Sequence, residues 1–282
     1  MKKIIDLHAH STASDGTLTP RELAAEAKKA GLSACAITDH DTVAGVSRFL
    51  AACDEVGVEG VPGVEISTKY SGEMHIVGLY VDYENKDFLD KLYRLEHSRE
   101  IRNKKMIERC CSLGYEISEE EVLAYADTEC GGSMGRPHFA NVFISKGYAK
   151  DKDEAFDKYL GKGKCCYVER ELYTPEETIK LIKAAGGTAI LAHPIYISRD
   201  REKLKEIISE LKELGLDGVE CRYWEYDDEY TKMITELTEE LGLLKSGGSD
   251  FHGDIKPGLK LGCGMGNLCI PYEYLEEIKN TR

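Results

Sequence analysis

Residues 3–16 read KIIDLHAHSTASDG. Lys3 to Leu7 is a short β-rich run, and it empties straight into His8 rather than into a turn. In His8-Ala9-His10 the two imidazoles alternate along extended backbone, so both project to one side and can grip a single ion. A strand whose end carries metal-seeking side chains predicts a site at that end of the fold.

The rest of the chain repeats the arrangement. Thr19 is an N-cap with Pro20 in the first helical turn, which predicts a helix over Pro20–Ala30 ended by Gly31. The apolar run Ser33–Ile37 leads to Thr38-Asp39-His40, Val43–Val56 reads as a second helix, and Gly60–Val64 leads to Glu65. Met74–Val81 is a strand with His75 at its start. Further on, helix Pro175–Ala185 precedes strand Thr188–Ala192 and His193, and helix Arg201–Leu214 precedes strand Asp217–Cys221. Helix Tyr230–Leu241 then precedes strand Leu243–Ser246, which runs into Gly247-Gly-Ser-Asp-Phe-His252. Strand and helix alternate, which predicts an α/β fold with parallel strands and polar residues collected at their C-terminal ends.

Between Leu89 and Cys166 the alternation lapses. Leu89–Leu113, Ser118–Ala126, Pro137–Lys146 and Lys152–Leu160 are all helix-patterned. Residues 1–88 plus 167–282 are therefore expected to form the α/β body, with 89–166 a helical insert covering the site.

Composition narrows the function classes. The 282 residues include 37 basic and 51 acidic ones, a net charge of −14, which disfavours a long nucleic-acid track held by Lys and Arg. No run approaches 18 apolar residues, and Asp6 interrupts the only N-terminal stretch a secretory leader could use, so no membrane partner and a cytoplasmic location are expected. The ten cysteines include no CxxC and read as reduced, mostly buried thiols.

Six of the eight histidines fall at these strand ends, beside Asp15, Glu65 and Asp250. A shell mixing imidazole and carboxylate suits Mn²⁺, Fe²⁺ or Zn²⁺ better than Ca²⁺ or Mg²⁺, which prefer oxygen alone. Ions held in such a shell can acidify a bound water and polarise a substrate oxygen. No P-loop is present, because Gly161-Lys-Gly-Lys164 lacks its spacing.

DLHAHSTASDG (6–16), TDHDT (38–42), GVEIS (63–67), MHIVG (74–78), LAHP (191–194) and GSDFHG (248–253), in that order, resemble the six motifs of the polymerase and histidinol phosphatase (PHP) superfamily. The resemblance implies a distorted (β/α)7 TIM-like barrel, with up to three metals at the C-terminal ends of its strands. It implies a first metal on His8, His10, Glu65 and Asp250. Glu65 would bridge to a second, completed by His75 and His193, and Asp15, His40 and His252 would hold a third.

The narrower resemblance is to stand-alone PHP phosphoesterases acting on 3′,5′-bisphosphonucleotides and the 5′ ends of short RNAs, carried by GRPHFA (135–140), YLGKG (159–163) and Tyr167-Val168. It implies that Arg136 and His138 bind a substrate phosphate, the alternative being that they only cap a helix start. Arg99, Arg102 and Asn103 are further candidates, against a solvated helix face; Lys162 and Lys164 read as a basic loop, and His97 as surface. Tyr223, Trp224 and Tyr226 either stack on a base or pack against a loop. Asp15 stands where histidinol-phosphate phosphatases of the superfamily carry His, which leaves another small phosphorylated metabolite, histidinol phosphate included, as the alternative substrate. A non-catalytic nucleotide- or metal-binding regulator is the alternative from outside enzymology.

Overall fold

The computed structural model describes residues 3–126 and 134–282. Its strands are β1 (Ile4–Asp6), β2 (Ala34–Ile37), β3 (Glu59–Ser67), β4 (His75–Leu79), β5 (Thr188–Leu191), β6 (Gly218–Tyr223), β7 (Leu244–Gly248) and β8 (Ile270–Pro271). They form one sheet in the order β7-β6-β5-β4-β3-β2-β1-β8. The sheet curls until β7 meets the far side: Leu7 N–H donates to Gly247 O at 3.1 Å, Asp250 N–H to His8 O at 2.9 Å, and Ala9 bridges Phe251. The result is a distorted TIM-like barrel.

Gly248 permits that closure, since a Cβ there would sit 2.1 Å from the Cβ of His8. Around the barrel run α1 (Pro20–Lys29), α2 (Val46–Val56), α7 (Pro175–Ala184), α8 (Arg201–Glu213), α9 (Asp228–Glu240) and α10 (Glu273–Asn280), numbered with the four helices given below. Thr19 and Thr174 cap α1 and α7 in reciprocal boxes with Glu22 and Glu177, with Pro at the helix start in both.

The expectation of parallel strands needs correction. β4 runs antiparallel to both β3 and β5, and β8 antiparallel to β1. The physical reason lies in the connection: residues 68–74 between β3 and β4 are too few for a crossover helix, so the chain returns as a hairpin. This inversion explains why His75 sits at the start of its strand, because the N-terminal end of β4 lies at the same mouth as the C-terminal ends of its antiparallel neighbours β3 and β5.

Residues 89–166 contain most of α3 (Lys86–Ser112) and all of α4 (Glu119–Leu123), α5 (Arg136–Ser145) and α6 (Lys152–Ala155), followed by a π-helical turn at Phe156–Leu160. Met106, Cys110, Ile117, Phe139, Phe143 and Leu160 pack in an apolar cluster of their own, apart from the barrel core. All nine described cysteines are free thiols; five are buried, Cys111, Cys165 and Cys269 are exposed, and Cys130 lies outside the described residues. No helix of the described residues is long and apolar enough to cross a membrane.

Candidate metal centre

The barrel mouth gathers all nine candidate ligands. His8, His10 and Asp15 come from the segment after β1, His40 from the end of β2, Glu65 from β3, His75 from β4, His193 from the end of β5, and Asp250 with His252 from the end of β7. Glu65 stands at the centre. Its Oε1 lies 2.8 Å from His75 Nδ1 and 3.0 Å from His193 Nε2, while its Oε2 lies 3.0 Å from His40 Nδ1 and 3.3 Å from the Nε2 of both His8 and His10. Asp250 Oδ1 is 3.2 Å from His10 Nε2, and Asp15 Oδ1 is 3.3 Å from His252 Nε2.

These contacts resolve into three overlapping donor groups: His8, His10, Glu65 and Asp250; His40, Glu65 and His75; and His10, Asp15, His40 and His252. Compared with the sets expected from sequence, His40 stands beside His75 as well as beside Asp15, and His10 faces two groups. His193 joins through Glu65 Oε1.

Charge and burial favour a cation here. His8, His10, Glu65 and His193 are almost wholly buried, yet His8 Nε2, both nitrogens of His10, His40 Nδ1, Glu65 Oε2 and His193 Nδ1 have no hydrogen-bond partner among the described residues. Each such orphan costs about 1–3 kcal/mol. Divalent ions would satisfy several at once, and the imidazole–carboxylate donor set fits Mn²⁺, Fe²⁺ or Zn²⁺.

Burial opposes ionisation of Glu65, but His40, His8 and His75 outweigh it and hold the carboxyl well below the usual range. Asp15 and Asp250 are likewise held down, against burial, by His40 and His252 and by Lys256 and His252 respectively. The imidazoles diverge. Burial disfavours charge on His10, but Asp250 and Glu65 raise it to about 9; at His40 burial wins and lowers it to about 3. Backbone strain collects at the same mouth: Asp41, His193 and Asp250 are three of the four described non-glycine residues with positive φ.

A family model for the PHP domain matches residues 6–220. The chain belongs to the PHP family. It is 36% identical over 253 residues to a 5′-3′ exoribonuclease of Haemophilus influenzae, covering 89% of this chain and 91% of that protein. It is 30% identical over 259 residues to a 3′,5′-nucleoside bisphosphate phosphatase of Chromobacterium violaceum, covering 92% and 90%. A solved structure described as a metal-dependent phosphoesterase of Bifidobacterium adolescentis superposes with a TM-score of 0.85 at 30% identity, covering 98% of this chain and 95% of that one.

Several residues that support this PHP mouth escaped the sequence reading. Glu220 Oε1 lies 2.8 Å from His8 Nδ1, while its Oε2 accepts the His193 N–H at 2.6 Å, so one buried carboxylate orients two candidate ligands. Its signal was an acid inside the otherwise apolar run Gly218–Cys221. Lys256 donates to Asp250 Oδ2 at 2.8 Å, and the Tyr223 hydroxyl donates to the same oxygen at 3.0 Å. Asp39 accepts from Ser11 and Ser14 and fixes the loop that carries Asp15.

The expected phosphate-binding residues lie beside the mouth. His138 accepts the Gly135 N–H through Nδ1 at 3.0 Å, so it does cap α5. The Arg136 guanidinium rests over the rings of Phe156 and Tyr167 at 5.8 and 5.7 Å. The solvated-face alternative for Arg99, Arg102 and Asn103 is corrected: all three are buried, because α3 lays that face against the barrel mouth and the start of α5. Lys162 donates to the Tyr70 and Ser71 carbonyls, tying its loop to the β3–β4 connection. His97 is a surface residue paired with Glu100. Tyr223 and Tyr226 are buried, and Trp224 is held through its carbonyl by Asn267, so these aromatics pack.

Proposed function

We propose that this PHP phosphoesterase removes the 3′-phosphate from 3′,5′-bisphosphonucleotides and cuts short 5′-phosphorylated oligoribonucleotides from the 5′ end. The observation that carries this reading is the adjacency of two unlike sites: a mouth of nine imidazole and carboxylate ligands, and a buried group of arginines beside it. The relatives from Haemophilus influenzae and Chromobacterium violaceum, named a 5′-3′ exoribonuclease and a 3′,5′-nucleoside bisphosphate phosphatase, support it.

His8, His10, Asp15, His40, Glu65, His75, His193, Asp250 and His252 would hold two to three divalent ions, Mn, Fe or Zn. Bound there, such ions supply Lewis-acid polarisation of the phosphoryl oxygens and an acidified water. The protein's own residues supply placement. Arg136 and His138, with Arg99, Arg102 and Asn103, would hold the terminal 5′-phosphate, the guanidiniums offering forked donors to its oxygens. Because His138 Nδ1 already accepts the Gly135 N–H, its remaining proton sits on Nε2 and can be donated. A 5′-phosphate fixed there sets the distance from the clamp to the scissile 3′ ester. Residues 89–166, as an insert carried on a barrel of 1–88 and 167–282, would cover the site and exclude long duplexes.

The test is turnover of adenosine 3′,5′-bisphosphate to AMP and phosphate by the purified chain with Mn²⁺, compared with adenosine 3′-monophosphate. Preference for the bisphosphate is expected. Equal turnover of the two would remove the role of the 5′-phosphate, and no turnover of either would remove the substrate class.

A further inference from the structure

Four guanidiniums meet beside the metal mouth, and among the described residues Asp41 is the carboxylate shown hydrogen-bonded to two of them, while Glu96 acts on Arg99 through space. Asp41 Oδ2 accepts from Arg99 at 2.6 Å and from Arg170 at 2.7 Å. The three side chains are nearly sealed from solvent, at 0% exposure for Asp41, 8% for Arg99 and 7% for Arg170. Arg102, also buried, has its Nε on the Asn103 amide oxygen at 2.9 Å, a neutral partner. Arg99 Nε has no hydrogen-bond partner among the described residues. Burial, then Arg99, Arg170 and Arg136, push the Arg102 guanidinium well below its ordinary range, so the four cations share one field. Among the described residues, four positive charges against Asp41 and the more distant Glu96 leave a surplus, and an unpaired buried charge costs several kcal/mol.

Arg170 is not carried on a regular element, and its place is fixed from outside. The segment that bears it is pinned to the barrel by the Lys69 N–H donating to Tyr173 O at 2.7 Å, and to α3 by the Ser98 hydroxyl donating to Glu171 O at 2.9 Å. Asp41 is fixed as firmly. Its N–H donates to Glu65 O at 2.8 Å, its Oδ1 accepts the Ser67 N–H at 3.2 Å, and its φ of 57° lies in the left-handed region that a non-glycine residue adopts only when its surroundings impose it. One peptide bond separates it from His40.

We infer that Arg170 completes the phosphate site with Arg99, Arg102 and Arg136, and that Asp41 is the positioning residue that aims two of these guanidiniums and ties them to the metal-bearing loop. The ligand class is a terminal phosphate dianion, whose charge offsets most of the cationic surplus. Asp41 spends one oxygen on both arginines, leaving their other donors for the anion. The inference rests on the 5′-phosphate reading above and names residues it did not contain.

The experiment uses the full-length, metal-loaded chain and measures the affinities of AMP and adenosine by calorimetry, with thermal melting alongside. Wild type is expected to prefer AMP. Arg170→Met should cut the AMP-to-adenosine affinity ratio about 10- to 100-fold, the scale of one lost charge-assisted hydrogen bond. Arg170→Lys should recover part of it, because the charge returns without the fork. Asp41→Asn should lower the ratio as well, with both arginines released. An ion pair serving only the fold would lower the melting temperature of Arg170→Met and leave the ratio intact, and that result overturns the assignment. Should wild type prefer adenosine 3′,5′-bisphosphate in turnover while Arg170→Met keeps the AMP preference, the phosphoesterase reading stands and Arg170 leaves the site. Should wild type bind AMP no better than adenosine, the 5′-phosphate reading falls and takes this inference with it.

Discussion

On one side of the His40–Asp41 peptide lie three candidate carboxylate ligands among six imidazoles; on the other lie four guanidiniums, two of them sharing the Asp41 carboxylate. The first group is assembled from strand ends, and every ligand follows, opens or sits on a strand of one barrel. The second is assembled from α3, the start of α5 and the irregular segment around Arg170, with the contact to Asp41 spanning 129 residues. The metal mouth therefore takes its precision from sheet hydrogen bonding, while the arginine wall takes its precision from loops pinned one bond at a time. Cations buried in surplus are held at a cost until an anion arrives.

The largest expected effect tests the first half. Glu65 touches five of the six mouth imidazoles through its two oxygens. Glu65→Gln keeps the shape and removes the shared charge. It should lower metal content, read by elemental analysis, and cut kcat/KM for the bisphosphate by about 10³-fold or more, since several kcal/mol of charge stabilisation are lost. A variant retaining full metal content would show that this carboxylate is dispensable and that the imidazoles with Asp15 and Asp250 suffice to build the mouth.

Glu220→Gln acts one layer further out. With the carboxylate removed from His8 Nδ1 and the His193 N–H, metal affinity or activity should fall about 10- to 100-fold. A competition assay with a chelator reads this directly. An unchanged affinity would mean that the barrel backbone alone fixes both rings.

Arg136→Ala moves to the arginine side, where the signature should differ in kind. KM for the bisphosphate should rise about tenfold while metal content stays at the wild-type value, because Arg136 rests on Phe156 and Tyr167 and touches no metal-binding side chain in any described contact. If metal content fell instead, the two halves would be one cooperative structure and the contrast between them would dissolve.

How much of this could be read in the sequence follows the same division. The gathering of the candidate ligands at strand ends was legible, because short apolar runs mark the strands and stop just before them, as at Ile37 before His40 and Leu191 before His193. The direction of β4 was not read, although the seven-residue link before it already forbade a crossover. Glu220 was hidden because strand alternation says which face a residue occupies but not what meets it there. Arg170 lies in no periodic segment, and nothing local announces that its partner is Asp41. Arg99 and Arg102 looked like the wet face of a helix, since i, i+3 spacing defines a face without saying what covers it.

The smallest expected effect falls on His138, which stands between the two halves in charge as well as in place. Burial lowers its pKa, with Arg99 and Lys152 adding to the effect and Asp15 opposing it. Its Nδ1 must stay unprotonated to accept the Gly135 N–H that starts α5. A base whose folded pKa lies below the unfolded value of about 6.5 contributes stability above that pH and loses it as pH falls toward the folded value. Wild type should therefore lose melting temperature between pH 7 and pH 5 relative to His138→Asn, which keeps a capping acceptor and does not titrate. The relative loss should be about 2–4 °C, the scale that 1 kcal/mol sets in a chain of this size. A wild type that instead gained melting temperature relative to His138→Asn as pH fell would mean that the folded state holds His138 as an imidazolium. It would then belong with the four arginines, as a fifth fixed cation facing the phosphate, and no longer with the neutral donors of the metal mouth.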